Sequence, residues 1–142
     1  MESVALKRGM IVGMAHQPFD YAYFLVEAVI SLAGTTLDGL SVEIGMVGHE
    51  GYLGLPILFD KPIHLYQATV QHHGLAWRIP GGALQDALHA SRSLREQLLR
   101  YTNVRFVQLA QTAVCHRFHS LEQRLCRWLL SMHDRVRANE IT

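Results

Sequence analysis

The spacing of apolar and polar positions changes character part-way along the chain. Residues 21–33 (YAYFLVEAVISLA) form a proline-free run of aromatic and β-branched side chains, which predicts strand. Leu37-Asp38-Gly39-Leu40 follows, and Asp-Gly between two such runs predicts a hairpin turn. Residues 41–47 (SVEIGMV) then alternate. This places Val42, Ile44 and Met46 on one face and Ser41, Glu43, Gly45 and Val47 on the other. Glycine recurs every third residue at Gly45, Gly48, Gly51 and Gly54. Such spacing interrupts a strand, bends the chain tightly and leaves backbone amides free to meet a ligand or a helix end. Residues 63–71 and 75–79 read as two further short strands. Many short strands punctuated by glycine predict an antiparallel roll or sandwich.

At Pro80-Gly81-Gly82 the period becomes helical. Residues 83–90 predict a short helix with Leu84, Ala87 and Leu88 on one side, and Ser93-Leu94-Arg95-Glu96 reads as a capping box opening a long one. One stripe runs Leu99, Thr102, Phe106, Leu109, Ala113 and His116 in steps of three and four, widened at the front by Leu98 and Tyr101. That seam could pack on the β-domain, on a second copy of the same helix, or on both. A helix this long exceeds the depth of a small roll, so self-association is the expectation. A second capping box, Ser120-Leu121-Glu122-Gln123, opens a helix whose apolar face is Leu121, Leu125, Trp128, Leu129 and Met132. This face expects a further domain to pack against, and the sequence to Thr142 supplies none.

Composition narrows the setting. The 142 residues are 49% hydrophobic, as in ordinary globular domains. The longest stretch without Asp, Glu, Lys or Arg, residues 62–77, contains three histidines and is no membrane span. The N-terminus shows no signal-peptide pattern, so a cytoplasmic location is expected. Cys115 and Cys126 stand eleven positions apart in predicted helix, too far to bridge along one helix, and read as free thiols. Net charge is +1 but unevenly spread. Residues 1–90 carry Lys7, Arg8, Lys61 and Arg78 against eight acids, whereas residues 91–142 carry nine arginines against Glu96, Glu122, Asp134 and Glu140. The basic rear either faces a polyanion or forms solvated helix faces balanced by the acidic front.

Tyr23-Phe24, Ser31-Leu32, Leu37-Asp38-Gly39, residues 41–45 and Gly48-His49-Glu50-Gly51 together resemble the β-roll of Crp/Fnr-type transcription regulators. Residues 112–120, Glu122-Gln123-Arg124-Leu125 and Arg127-Trp128-Leu129-Leu130 resemble that family's passage from a dimer helix into a DNA-binding domain. The resemblance covers residues 9–134. It implies an α+β fold: an antiparallel double-stranded β-helix (a cyclic-nucleotide-binding-like jelly roll) at residues 1–90, then a dimerisation helix at 91–119. Residues 120–142 would be the first helix of a winged-helix domain that is otherwise absent. DNA would be read only through that missing domain.

The resemblance also implies an effector pocket at Gly51, Tyr52, Leu53, Gly54 and Leu55 with Tyr66 and Gln67, and a homodimer interface at Leu99, Thr102, Phe106, Leu109 and Ala113. Cyclic-nucleotide binders of the family hold the phosphate with an arginine and the ribose with a carboxylate. Tyr52 stands where the carboxylate belongs, and Tyr66 and Gln67 where the arginine and its hydroxyl neighbour belong. Burying a phosphate without a cation costs several kcal/mol, so cyclic AMP is not the expected effector and an unidentified small molecule, or none, takes its place.

Metal and cofactor are not expected. Cys115, His116, His119 and the pair His72-His73 lack a converging ligand set, and the histidines read instead as surface or interface groups titrating near neutral pH. Catalysis is not expected either. His49, Glu50, His64, His72 and His73 do not give the His-x-His spacing of metal-dependent cupins, and no nucleophile elbow or phosphate loop is present. Arg117, Arg124, Arg127, Arg135 and Arg137 could touch phosphates beside a DNA-binding domain and would bind only weakly alone. The expected function is effector sensing and dimerisation in a Crp/Fnr-type regulator, without a cofactor and away from membranes. The alternative is a regulator remnant that acts as an interaction module.

Overall fold

In the computed structural model, which describes residues 1–60 and 63–136, the strand-like front half closes into two antiparallel four-stranded sheets. The strands are β1 (Glu2–Leu6), β2 (Ile11–Gly13), β3 (Tyr21–Leu25), β4 (Val29–Thr35), β5 (Ser41–Val47), β6 (Tyr52–Leu53), β7 (Gln67–His72) and β8 (Gly74–Pro80). One sheet runs β1-β8-β3-β6 and the other β2-β7-β4-β5, the strand order of a jelly roll. Alternate residues of the two inner faces interlock as the core: Ala22, Ile30, Leu32, Leu53, Ala68, Val70 and Ala76 are all essentially inaccessible to solvent. The 3₁₀ helix Leu55–Phe59 plugs one end with Ile57 and Leu58.

Three features of this region depart from the sequence reading. The apolar run 21–33 is two strands rather than one, because Val26 and Glu27 both donate their amides to Leu75 O where the chain crosses from one sheet to the other. The short strands β1 and β2, mostly solvent-facing, carry too little apolar alternation to be visible in the sequence. Finally, β5 does not present Val42, Ile44 and Met46 on one face. Leu32 pairs with Gly45 and Ala33 with Glu43, so Ile44 is an extra residue in a β-bulge and the alternation flips across it. Ile44 and Val47 turn into the roll's core, Met46 turns to the opposite face, where it is buried with Val29 in a second cluster, and Val42 lies exposed at the hairpin. The Asp-Gly turn forms as expected, with Gly39 at φ 86° and the Thr36 amide donating to Leu40 O at 2.8 Å.

Behind the roll come α1 (Gly81–Ala90), α2 (Arg92–Phe118) and α3 (Leu121–Arg135). At 27 residues α2 is about 40 Å long, beyond the roll's reach. Its start is earlier than the capping box at Ser93 predicted. α1 ends at Ala90, the single residue Ser91 turns the chain, and the Ser91 hydroxyl accepts the Leu94 amide. The second capping box forms as read, with the Ser120 hydroxyl and Gln123 side chain exchanging hydrogen bonds with each other's amides. The α3 face expected to need an absent domain finds part of its surface on the roll itself: Met132 and Val136 are buried against Val29 and Met46, with Trp128 alongside. Leu121, Leu125, Leu129 and Leu130 remain exposed.

Candidate effector pocket and helix seam

The glycine ladder acts as a row of docking slots. A methyl group at Gly45 would come within 3.2 Å of the Arg105 guanidinium from α2, and one at Gly48 within 2.9 Å of the Arg135 Cβ from α3. At Gly51 it would collide with the Tyr101 phenol from α2. Each missing side chain admits one helix side chain, which ties both helices to the same 45–51 segment. The amides expected to lie open here are largely engaged. Gly51 donates to Gly48 O at 3.0 Å and Ile57 to Gly54 O at 3.0 Å.

Gly51, Tyr52, Leu53, Gly54 and Leu55 form β6 and the entry to the 3₁₀ helix, with Gly54 at φ 138° and packed on Ala22. Tyr52 is buried between Phe24 and Tyr101, with ring centroids 5.1 and 5.4 Å away. Burial pushes its phenol far above the ordinary tyrosine range, and pushes Tyr101 up to about 12. Neither hydroxyl has a hydrogen-bond partner among the described residues. Tyr66 packs against the same core, its phenol likewise raised by burial and partly offset by the positive charge of Arg105. The structure separates Gln67 from this group. On β7 the even-numbered Ala68, Val70 and His72 are buried, so Gln67 points outward, where its amide donates to Thr69 Oγ1 at 3.1 Å.

Arg105 escaped the sequence reading. It is buried, and one of its guanidinium nitrogens donates to Met46 O at 2.7 Å and to Gln108 Oε1 at 2.6 Å. The interior therefore has a cation, delivered by the helix rather than by the roll. Its signal was available in the spacing: Leu94, Leu98, Tyr101 and Arg105 recur at steps of four, three and four along the covered side of α2.

The predicted seam is split by the helix's rotation. Thr102 is covered by its own chain and its hydroxyl donates to Leu98 O at 2.9 Å. Leu109 is half-buried, whereas Leu99, Phe106 and Ala113 face solvent. Val107, Val114 and Phe118 extend that exposed apolar side, which the sequence stripe had not included. Of the rear arginines, Arg124, Arg127 and Arg135 gather with Arg105 around a cleft between β5, α2 and α3. Arg117 instead lies 5.5 Å from the ring of Phe118, and Arg137 lies outside the described residues. The histidines depart from expectation at two places. His64 and His72 are buried, His64 stacked on Phe19 and His72 beside His73. Burial lowers the His64 pKa to about 4 and holds the ring neutral.

No protein-family model matches the chain, and no curated protein matches it. Solved structures do. FixK2 from Bradyrhizobium japonicum aligns over 97% of this chain and 68% of its own, with a TM-score of 0.80 at 14% identity. A CRP/FNR-family transcriptional regulator from Thermus thermophilus aligns over 98% of this chain and 69% of its own, with a TM-score of 0.76 at 19% identity. The chain has the Crp/Fnr fold. A cyclic nucleotide-binding-like protein from Brucella abortus shares 26% identity over 62% of this chain and 75% of its own, with a TM-score of 0.52. The Crp/Fnr-type arrangement accounts for the order of parts: jelly roll, long helix, then a further helix. Among the described residues, no helix is long and apolar enough to cross a membrane.

Proposed function

We propose that this chain is the effector-sensing and dimerisation part of a Crp/Fnr-type transcription regulator. Residues 1–90 act as sensor, 91–119 as dimer helix and 120–142 as the lead into a DNA-binding domain, in a cytoplasmic protein without enzymatic activity. The observation that carries this reading is α2. One side is locked to the roll through Leu98, Tyr101 and Arg105, while Leu99, Phe106, Val107, Val114 and Phe118 are left in water on the other. An apolar stripe of that length on a helix stabilises a second copy placed against it. The solved structures resembling the chain are mostly transcription regulators, with one EAL enzyme among them.

An effector entering near residues 51–55 and Tyr66 meets the Tyr52 and Tyr101 rings first. Tyr101 belongs to α2, so its displacement would move the helix at Phe106 and Leu109 and reorient the chain beyond Ser120. Cyclic AMP does not suit the site: Tyr52 replaces the ribose acceptor, and Tyr66 and Gln67 stand where the phosphate's arginine and its hydroxyl neighbour belong.

Sedimentation tests the dimer. The parent chain should run at twice the monomer mass, and Phe106→Asp at the monomer mass. A monomeric parent defeats the reading. Calorimetry with cyclic AMP and cyclic GMP should show no binding, and tight binding of either would overturn the pocket argument. Duplex DNA should bind the isolated chain only weakly and lose that binding as salt rises.

A further inference from the structure

The arginine-lined cleft contains none of the tyrosines of the interior and meets it at Arg105. It measures about 500 Å³ and is walled by β5, the C-terminal half of α2, and α3. Arg105, Arg124, Arg127 and Arg135 all line it, and Glu43 is the only carboxylate among its lining residues. Glu43 accepts the Ser31 hydroxyl at 2.5 Å, and Arg135 is paired with Glu50 at 2.8 Å. For Arg105, Arg124 and Arg127, no carboxylate among the described residues lies within ion-pair distance. Arg105 is only 5% exposed. The Arg124 Nε is buried with no hydrogen-bond partner among the described residues. Arg127 reaches only the Gln111 carbonyl and the Thr112 hydroxyl, at 3.3 and 3.4 Å.

Three cations gathered in one cleft repel one another, and each loses hydration by being there. A solvated surface would let arginines spread apart, but here Arg105 is anchored from inside and α3 is held on the roll by Met132. An anion with oxygens enough for several guanidinium groups would stabilise the arrangement, which is phosphate chemistry. Leu121, Leu125 and Trp128 supply an apolar part of the same wall, and Trp128 offers a flat face.

We propose that this cleft binds an organic phosphate of nucleotide size carrying at least two negative charges, its phosphates against Arg105, Arg124 and Arg127 and its flat body against Trp128. Bound there, the ligand bridges β5, α2 and α3 and clamps α3 to the roll. It needs neither the dimer nor an effector inside the roll, so its fate is separable from theirs.

The test is calorimetry on the full 142-residue chain with adenosine diphosphate and guanosine diphosphate, using pyrophosphate and adenosine as controls. At least one of the two diphosphates should bind, at least about tenfold more tightly than pyrophosphate, and adenosine should not bind detectably. Arg124→Gln and Arg127→Gln should each weaken binding at least about tenfold while leaving circular dichroism unchanged. Both positions are partly solvent-facing, so the comparison does not rest on a buried substitution. Failure of both diphosphates to bind overturns the proposal, as does unaltered affinity in the two variants. Pyrophosphate binding as tightly as the nucleotides would also overturn it, because the flat body against Trp128 would then contribute nothing. If the variants kept nucleotide binding but lost salt-sensitive binding to duplex DNA, the arginines would belong to a nucleic-acid backbone and the proposal would fall.

Discussion

Single residues inside the roll show where its chemistry is under tension. Tyr52 is buried with its hydroxyl unpaired among the described residues, and an unpaired buried hydroxyl costs about 1–3 kcal/mol. Tyr52→Phe keeps the ring between Phe24 and Tyr101 and removes only that hydroxyl. It is expected to leave the unfolding free energy unchanged or raise it by about 1 kcal/mol in urea denaturation. A loss of stability would reveal a partner for the oxygen. His64 gives a pH prediction. Its folded pKa is about 4, depressed by burial, against about 6.5 unfolded, so the unfolded chain takes up a proton first as pH falls. The stability associated with the neutral ring is complete above about pH 6.5 and declines as pH drops toward 4. Between pH 7.5 and pH 5 the loss should be about 2 kcal/mol, and His64→Phe should abolish that portion of it. The sequence placed His64 among titrating surface groups because nothing local marks it as buried. Its burial comes from Phe19 stacked on it and from a glycine, Gly13, that leaves room for the ring.

Whole elements were legible to the extent that their signals were local. The hairpin at Asp38-Gly39, the Ser120 cap and the unbroken rod of α2 could be read because turn chemistry, capping and the absence of proline act within a few residues. The bulge at Ile44 could not, because it is a property of two strands at once: only the pairing of Leu32 with Gly45 and Ala33 with Glu43 creates it. The glycine ladder lies between these cases. Its spacing was visible, but its meaning depends on which helix residues arrive opposite, namely Arg105, Arg135 and Tyr101. That docking is testable at Gly51. Gly51→Ala drives a methyl group into the Tyr101 phenol and should cost about 1–3 kcal/mol in chemical denaturation. Tyr101→Leu vacates the slot, so adding it to Gly51→Ala should return part of the loss, giving a non-zero coupling in the double-mutant cycle. Simple additivity of the two changes would show that Tyr101 does not rest over Gly51.

At the scale of the molecule, the candidate sites divide in the same way. The turn at residues 51–55 was legible as a contiguous segment. The cation beside it was not, because Arg105 lies 59 residues from the carbonyl it binds. The seam was legible in period but not in phase: an amphipathic stripe fixes which residues share a helix face, and only docking fixes which face meets the roll. Docking through Leu98, Tyr101 and Arg105 leaves Phe106 and Val107 in water along a rod of about 40 Å, with Phe118 at its end. A partner helix on that side would remove the apolar surface from water in both copies, and folding would then be linked to association. Linkage has a direct signature: the melting temperature should rise with protein concentration, because mass action favours the paired native state over the unfolded chain. Phe106→Asp introduces a charge at the centre of the stripe without touching the covered side. The variant should melt lower than the parent at high concentration, converge on it at low concentration, and show no concentration dependence of its own. A parent chain whose melting temperature is constant across a roughly hundredfold range of concentration would leave the exposed stripe without a second copy to cover it.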